Sequence, residues 1–314
     1  MTRAAPRHQT GAALLTAMVI VTLVTTLAAA MVWQQWRAVQ VETAERSRMQ
    51  SAWILSGALD WARLILREDA KSGRPTALTE PWATPLAETS VSTFLALDKD
   101  HTDDGPEAFL SGSITDAQAR FNLFNLVEGD KVSPADLAVL TRLCDTLGVA
   151  SDVPARLAAT LRDVLAPPRD GGGNAPLKPQ SMSQLEWLGL DADTVNRLAP
   201  HVVLLPRRTA VNLNTASREV IAAAVEGLDP GGADRLVQLR QRKPFLTLAD
   251  AQSVVARVPL VPRHVGVQSS FFEVQGRLRL ADRVLQERSL VERRGGNEMV
   301  VLQRERLNLN DAGN

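Results

Sequence analysis

The stretch Gly11-Ala12-Ala13-Leu14-Leu15-Thr16-Ala17-Met18-Val19-Ile20-Val21-Thr22-Leu23-Val24-Thr25-Thr26-Leu27-Ala28-Ala29-Ala30-Met31-Val32-Trp33-Gln34-Gln35-Trp36 sets the reading of the whole chain. It holds no Asp, Glu, Lys or Arg, and the first charge after it is Arg37. About 25 residues at 1.5 Å each cross a hydrocarbon core of roughly 30 Å. A helix satisfies its own backbone hydrogen bonds, so lipid suits it. Residues 1–11 form a polar leader with Arg3 and Arg7 and no acid. Basic residues ahead of a span place the N-terminus on the cytoplasmic side, with the rest of the chain beyond the membrane.

Helix-forming sequence continues past the span. From Val39 to Leu66 there is no Pro, and Gly57 is the one Gly. Ala52, Leu55, Leu59, Ala62 and Leu66 recur at three- and four-residue steps, which predicts one helix from about Ala12 to about Arg67. Its first half is apolar all round and its second half amphipathic. A secretory signal cut near Ala28–Ala30 and a plain signal anchor are two readings of this start. The third takes Gly11–Ala12 as a processing junction, where a polar leader meets the apolar helix at a glycine. That junction resembles the class III leader of type IV pilins and type II secretion pseudopilins, in which a prepilin peptidase cuts after the glycine.

With 314 residues, the chain can hold two modest domains beside the membrane helix. Lys plus Arg equals Asp plus Glu, at 35 each, so no bulk attraction to nucleic acid is expected. Cys144 is the one cysteine, which excludes an intramolecular disulfide and reads as a buried small hydrophobe.

After the helix, Gly73, Pro75, Pro81 and Pro85 mark a loop that contains Glu80-Pro81-Trp82-Ala83. Asp98, Asp100, Asp103 and Asp104 follow, ending at Gly105. Oxygen ligands in such a turn suit calcium, although the closing Glu of an EF-hand is missing. A solvated acidic loop is the simpler reading, and a calcium-dependent rise in melting temperature would separate the two.

A strand is expected over 109–114. Asp116, Asn122 and Asn125 then read as turn residues whose side chains satisfy backbone groups. From Ser133 the sequence is helical for over a hundred residues. Ser133 caps a helix with Pro134 at its first position, and Gly148 ends it. A second helix is expected over 154–165. Two segments then resemble weak repeats. Gly189-Leu190-Asp191 leads into a helix through Val195 and Leu198. A helix capped by Thr215 ends at Gly227-Leu228-Asp229, and another runs from Ala233 to Arg242.

Helix, Gly-Leu-X turn and helix resemble the helix-hairpin-helix of DNA-binding proteins. Asp191 and Asp229 stand where that motif opens its amides to a phosphate, and a carboxylate there repels one. A packing motif is the favoured reading. Arg235, Arg240, Arg242 and Lys243 keep open a membrane-tethered DNA-binding protein of the competence type. From Ser269 the period becomes two, with strands expected over 272–280, 283–293 and 298–304 and a turn at Gly295-Gly296.

Taken in order, these pieces resemble the K-type minor pseudopilin of the type II secretion system. The segments that carry it are the leader ending in Gly11, Leu59-Asp60-Trp61-Ala62, Glu80-Pro81-Trp82-Ala83, residues 116–123, residues 211–216 and residues 269–274. The resemblance implies an α+β fold: a transmembrane helix, then a pilin-like domain with a large all-α domain inserted between its strands. The expected organisation is a leader at 1–11, the transmembrane helix at 12–36, the first part of the pilin-like domain at 37–125, the inserted domain at 126–265 and the C-terminal strands at 266–314.

The resemblance also implies cleavage between Gly11 and Ala12 and residence in a bacterial inner membrane with the bulk of the chain in the periplasm. Its implied partners are the I- and J-type minor pseudopilins, the major pseudopilin, the prepilin peptidase and the inner-membrane secretion platform. A place at the pseudopilus tip is expected, where the subunit starts or caps assembly. Most pilin-like subunits carry Glu at mature position five, and here that position is Thr16. A buried glutamate in lipid is tolerated when it pairs with a neighbour's amino terminus, and a subunit with none ahead of it needs no such pair. No required cofactor and no catalytic group is expected, since nucleophile and base stand together nowhere in the sequence.

Overall fold

The computed structural model describes residues 10–91, 108–165, 177–280, 283–295 and 298–307. The chain divides into two compact units, Met1–Ile54 and Leu55–Asn314. Helix α1 (Thr10–Lys71) supplies the described part of the first unit and opens the second. In the first unit the side chains from Leu14 to Val41 face outward, among them Leu14, Val19, Leu27 and Trp33. The hydroxyls of Thr16, Thr22, Thr25 and Thr43 each donate to the carbonyl four residues back. The segment therefore offers lipid an apolar face with its hydroxyl donors already used. Farther on, Arg46 pairs with Glu42 and Arg48 with Glu45, each at 2.9 Å, in water-exposed pairs worth a few tenths of a kcal/mol. Helix α1 ends where Gly73 takes a φ of +65° and Pro75 follows.

In the second unit Leu55, Leu59, Ala62 and Leu66, the expected face, are all buried. They pack against a five-stranded antiparallel sheet in the order β1-β2-β9-β10-β11. Its strands are β1 (Leu86–Ser90), β2 (Ala108–Asp116), β9 (Phe271–Leu280), β10 (Arg283–Arg294) and β11 (Glu298–Leu307). The core between helix and sheet contains Leu59, Ala62, Leu66, Trp82, Ile114, Phe272, Val274, Val291 and Met299. Trp82 is 1% exposed and meets Phe272 edge-on, with ring centroids 5.4 Å apart. Arg63 donates twice to Met299 O, tying the helix to β11.

Between β2 and β9 the chain leaves the sheet and builds a mainly helical body. It contains α2 (Pro134–Leu147), α3 (Val153–Leu165), α4 (Ala192–Leu198), α5 (Arg218–Ala224), α6 (Pro230–Arg242) and α7 (Leu248–Val254). Ser133 caps α2 as expected, and Gly148 closes it with a φ of +66°. Three two-residue ladders join the helices, which the helical periodicity alone does not reveal. β3 (Phe121–Asn122) runs parallel to β6 (Val202–Val203), and β7 (Val211–Asn212) parallel to β8 (Val265–Gly266). β4 (Val127–Glu128) and β5 (Lys131–Val132) form a small hairpin. The apolar cluster of this body extends back to Phe121 and Leu123.

Two helix starts differ from expectation. Ser217, not Thr215, caps α5, because the Thr215 hydroxyl is drawn to Asp116 instead. Helix α6 begins at Pro230, ahead of Ala233. Gly231 and Gly232 read as helix breakers, but Pro at the first position and Asp229 at the cap outweigh their weak propensity.

Gly112 and Gly276 face each other across β2 and β9. A Cβ on Gly112 would come 2.6 Å from Gln275 O, and one on Gly276 would come 3.2 Å from Leu55 Cδ2. Backbone oxygen does not swing aside, so Gly112→Ala should destabilise the second unit by about 1–3 kcal/mol. Thermal unfolding of the full chain in detergent measures this, and an unchanged midpoint would show that the two strands part there without penalty.

Candidate functional site

The sequence points to the start of α1, and the structure places Gly11, Ala12 and Thr16 in its opening turns. Thr16 Oγ1 donates to Ala12 O at 2.6 Å. The Thr16 hydroxyl donor is thus used within its own helix.

Residues 116–123, 211–216 and 269–274 converge on a buried polar junction. Asp116, at the end of β2, receives four donors among the described residues. Gln118 N reaches its Oδ1 at 2.8 Å. Asn212 Nδ2 at 2.9 Å, Thr215 Oγ1 at 2.6 Å and Ser269 Oγ at 2.6 Å all reach its Oδ2. Asn212 Nδ2 also donates to Thr76 O, and Ser269 N donates to Thr76 Oγ1. The cluster joins the loop after α1, the end of β2, the β7 turn and the approach to β9. Burial raises the Asp116 pKa, and the hydrogen bonds from Ser269, Thr215, Asn212 and Gln118 oppose that rise without cancelling it.

Beside it, the turn after β2 does what its composition suggests and more. Asn122 Oδ1 accepts from both Phe124 N and Leu205 N, and its Nδ2 donates to Arg207 O. Asn125 exchanges two hydrogen bonds with the Thr209 backbone. These side chains hold a second segment, 205–209, and not only their own turn. Asp136 is fully buried and takes Arg208 at 2.7 Å. Arg208 and Thr76 carry no local sequence signal for these roles, since their partners lie far away in the chain.

The hairpin turns turn out to be self-capped. Asp191 accepts from Thr194 N at 2.9 Å and Thr194 Oγ1 at 2.8 Å, and these bonds hold its carboxyl below the usual range. Asp229 accepts from Gly232 N at the start of α6. The amides that a DNA phosphate would use are already taken by carboxylates. Arg240 is buried and donates to Leu213 O, and burial lowers its pKa to about 10. It is a structural cation rather than a phosphate contact. Cys144 is likewise buried, with its thiol pushed up to about 11 by desolvation, far from thiolate chemistry. Asp98, Asp100, Asp103 and Asp104 lie outside the described residues. Among the described residues no group of three or more His, Cys, Asp or Glu could hold a metal ion.

Comparison with known proteins gives a consistent answer. Two family models, both described as type II secretion system protein K, match residues 119–207 and 211–265. Type II secretion system protein K of Pseudomonas aeruginosa is 30% identical over 305 residues, covering 88% of this chain and 86% of that protein. The chain belongs to the type II secretion system protein K family. The Klebsiella pneumoniae member is 30% identical, covering 95% of this chain and 96% of its own. A solved structure, that of the GspK-GspI-GspJ complex from the enterotoxigenic Escherichia coli type 2 secretion system, shares the fold. Its TM-score is 0.64 at 19% identity, covering 84% of this chain and 98% of that one. The family consists of minor pseudopilins, components of a secretion machine. The DNA-binding alternative has no support here: the matched segments include both hairpin turns and belong to protein K.

Three donors converge on Asp116 Oδ2 and one on Oδ1, so Asp116→Asn must turn an NH2 group toward at least one of them. Each buried donor left without an acceptor costs about 1–3 kcal/mol. The variant should melt roughly 5 °C or more below the parent chain in detergent. Equal midpoints would show that the junction reorganises freely.

Proposed function

We propose that this protein K family member stands at the tip of the pseudopilus, where it initiates or caps assembly with I- and J-type minor pseudopilins. The relation to protein K over nearly the whole chain carries the reading. The self-bonded Thr16 supports the tip position, because a leading subunit has no amino terminus ahead of it to neutralise. The fold shared with the GspK chain of a three-protein assembly supports the choice of partners. The helix long and apolar enough to cross a membrane lies near the N-terminus. With Arg3 and Arg7 before it, the N-terminus belongs in the cytoplasm and the second unit in the periplasm, anchored in the inner membrane. The protein works as a structural component and not as an enzyme.

Processing follows from the Gly11–Ala12 junction. Gly11→Val should block cleavage, leaving a membrane-extracted chain with its leader, whereas the parent's mass and N-terminal sequence should begin at Ala12. A parent chain beginning near Met31 would point to a conventional signal peptide instead.

The tip reading also fixes the outcome of Thr16→Glu. An unpaired carboxylate at a bilayer-embedded helix centre costs on the order of 3 kcal/mol, and less near the interface. Secretion should therefore fall or stay level in the variant, and cross-linking should find the parent subunit at fibre ends. A variant that secretes better than the parent, or a subunit spread along the shaft, would overturn the tip position.

A further inference from the structure

The charge-free run of α1 ends in two tryptophans and an arginine, Trp33, Trp36 and Arg37. Both indoles point outward, 62% and 55% exposed. They lie together, with ring centroids 5.5 Å apart and planes tilted by 34°. From Ala12 to Trp33 the helix advances about 32 Å, which matches a hydrocarbon core of roughly 30 Å. With Ala12 at the cytoplasmic boundary, Trp33 reaches the opposite boundary, and Trp36 and Arg37 stand among the headgroups. Trp33, Gln34, Arg37 and Val41 line one open groove on this stretch.

Arg37 is the one charged residue between Gly11 and Glu42. Among the described residues it makes no ion pair, and Glu42, the nearest acid in sequence, pairs with Arg46 at 2.9 Å. A cation at this end of the span runs against the positive-inside bias, which favours Lys and Arg on the cytoplasmic side. Its placement there calls for an anion on the outer side. Lipid phosphate supplies one at that depth, and a guanidinium can hold a phosphate through two parallel N–H bonds. An indole suits the same layer, with an apolar body and one N–H to donate.

We propose that Trp33, Trp36 and Arg37 form a phospholipid-headgroup site in the periplasmic leaflet, and that this site sets the depth of α1. Arg37 takes the phosphate, and the indoles lie at the level of the ester oxygens and donate to them. The site rests on the membrane-spanning, leader-cleaved reading given above. Cleavage after Gly11 removes Arg3 and Arg7, the cations of the cytoplasmic end. The mature helix then takes its register from the other end.

The test uses the full chain in vesicles of phosphatidylethanolamine and phosphatidylglycerol, in phosphate-free buffer. Emission that the double variant Trp33→Phe, Trp36→Phe lacks reports these two indoles. It should be quenched more by bromine near the lipid glycerol than by bromine at the chain ends. Gln35→Cys should react with a water-soluble maleimide, over a low background because Cys144 is buried with its thiol pushed up to about 11. In the triple variant Trp33→Leu, Trp36→Leu, Arg37→Leu the next charge is Glu42. The helix should then slide by about one 5.4 Å turn, and position 35 should lose most of its label. Magnetic-resonance coupling between the Arg37 guanidinium carbon and lipid phosphorus should be present in the parent and absent in Arg37→Lys. Stronger quenching from the chain ends, a label that the triple variant keeps, or no coupling to phosphorus would overturn the site while leaving the span intact. Reaction at Val21→Cys, in mid-span, would overturn the membrane reading and the site with it.

Discussion

One buried carboxylate holds the second unit together. Asp116 ends β2, and the donors it gathers come from segments that otherwise belong to different layers: the helical body through Asn212 and Thr215, and the run into β9 through Ser269. An ionisable group taken out of water is costly unless its lone pairs are occupied. Here the occupants are neutral, so the arrangement tolerates burial by hydrogen bonding and not by a counter-charge. The cost of leaving any member unpaired makes the geometry all-or-none. The helical body cannot drift against the sheet without exposing that cost, and the two layers are fixed in one relation.

The Asp116 junction also explains why motifs so far apart in the chain carry the family resemblance together. Residues 116–123, 211–216 and 269–274 contain no nucleophile beside a base and no ligand quartet. They meet because each supplies one side of the same polar cluster. A family of assembly components needs a rigid body on a membrane helix, and these residues supply the rigidity. The hairpin turns at Asp191 and Asp229 follow the same pattern, spending their helix amides on internal caps.

What could be read from the chain alone was local. The absence of charge marks the first half of α1, the absence of Pro its continuation, and the two-residue alternation marks β9, β10 and β11. Ser133, Pro134 and Gly148 bound α2 because capping chemistry is short-range. What could not be read depends on tertiary demand. Thr215 and Ser217 are equally good caps by sequence, and Asp116, a hundred residues earlier, decides between them. Two-residue ladders such as β7–β8 are too short to leave a period. The apolar start of α1 was legible because lipid imposes its rule on every residue of a span. The acidic loop at 98–104 falls outside the described residues.

The neighbouring strands β2 and β9 are partners in the sheet, yet Asp116 pairs with Phe272 across the whole helical body. Joining two points of a disordered chain that far apart costs on the order of 4 kcal/mol in loop entropy, before any contact rewards it. Once the helical body has formed, its own compactness brings both ends of that excursion together, and the penalty is already met. Loop entropy thereby favours one order of events during folding, helices first and then closure of the sheet. Until closure, β2 has an open edge where β9 should lie, and an open strand edge invites pairing with other chains. A slow-folding helical body would thus expose the newly made chain to aggregation at a strand that is itself sound.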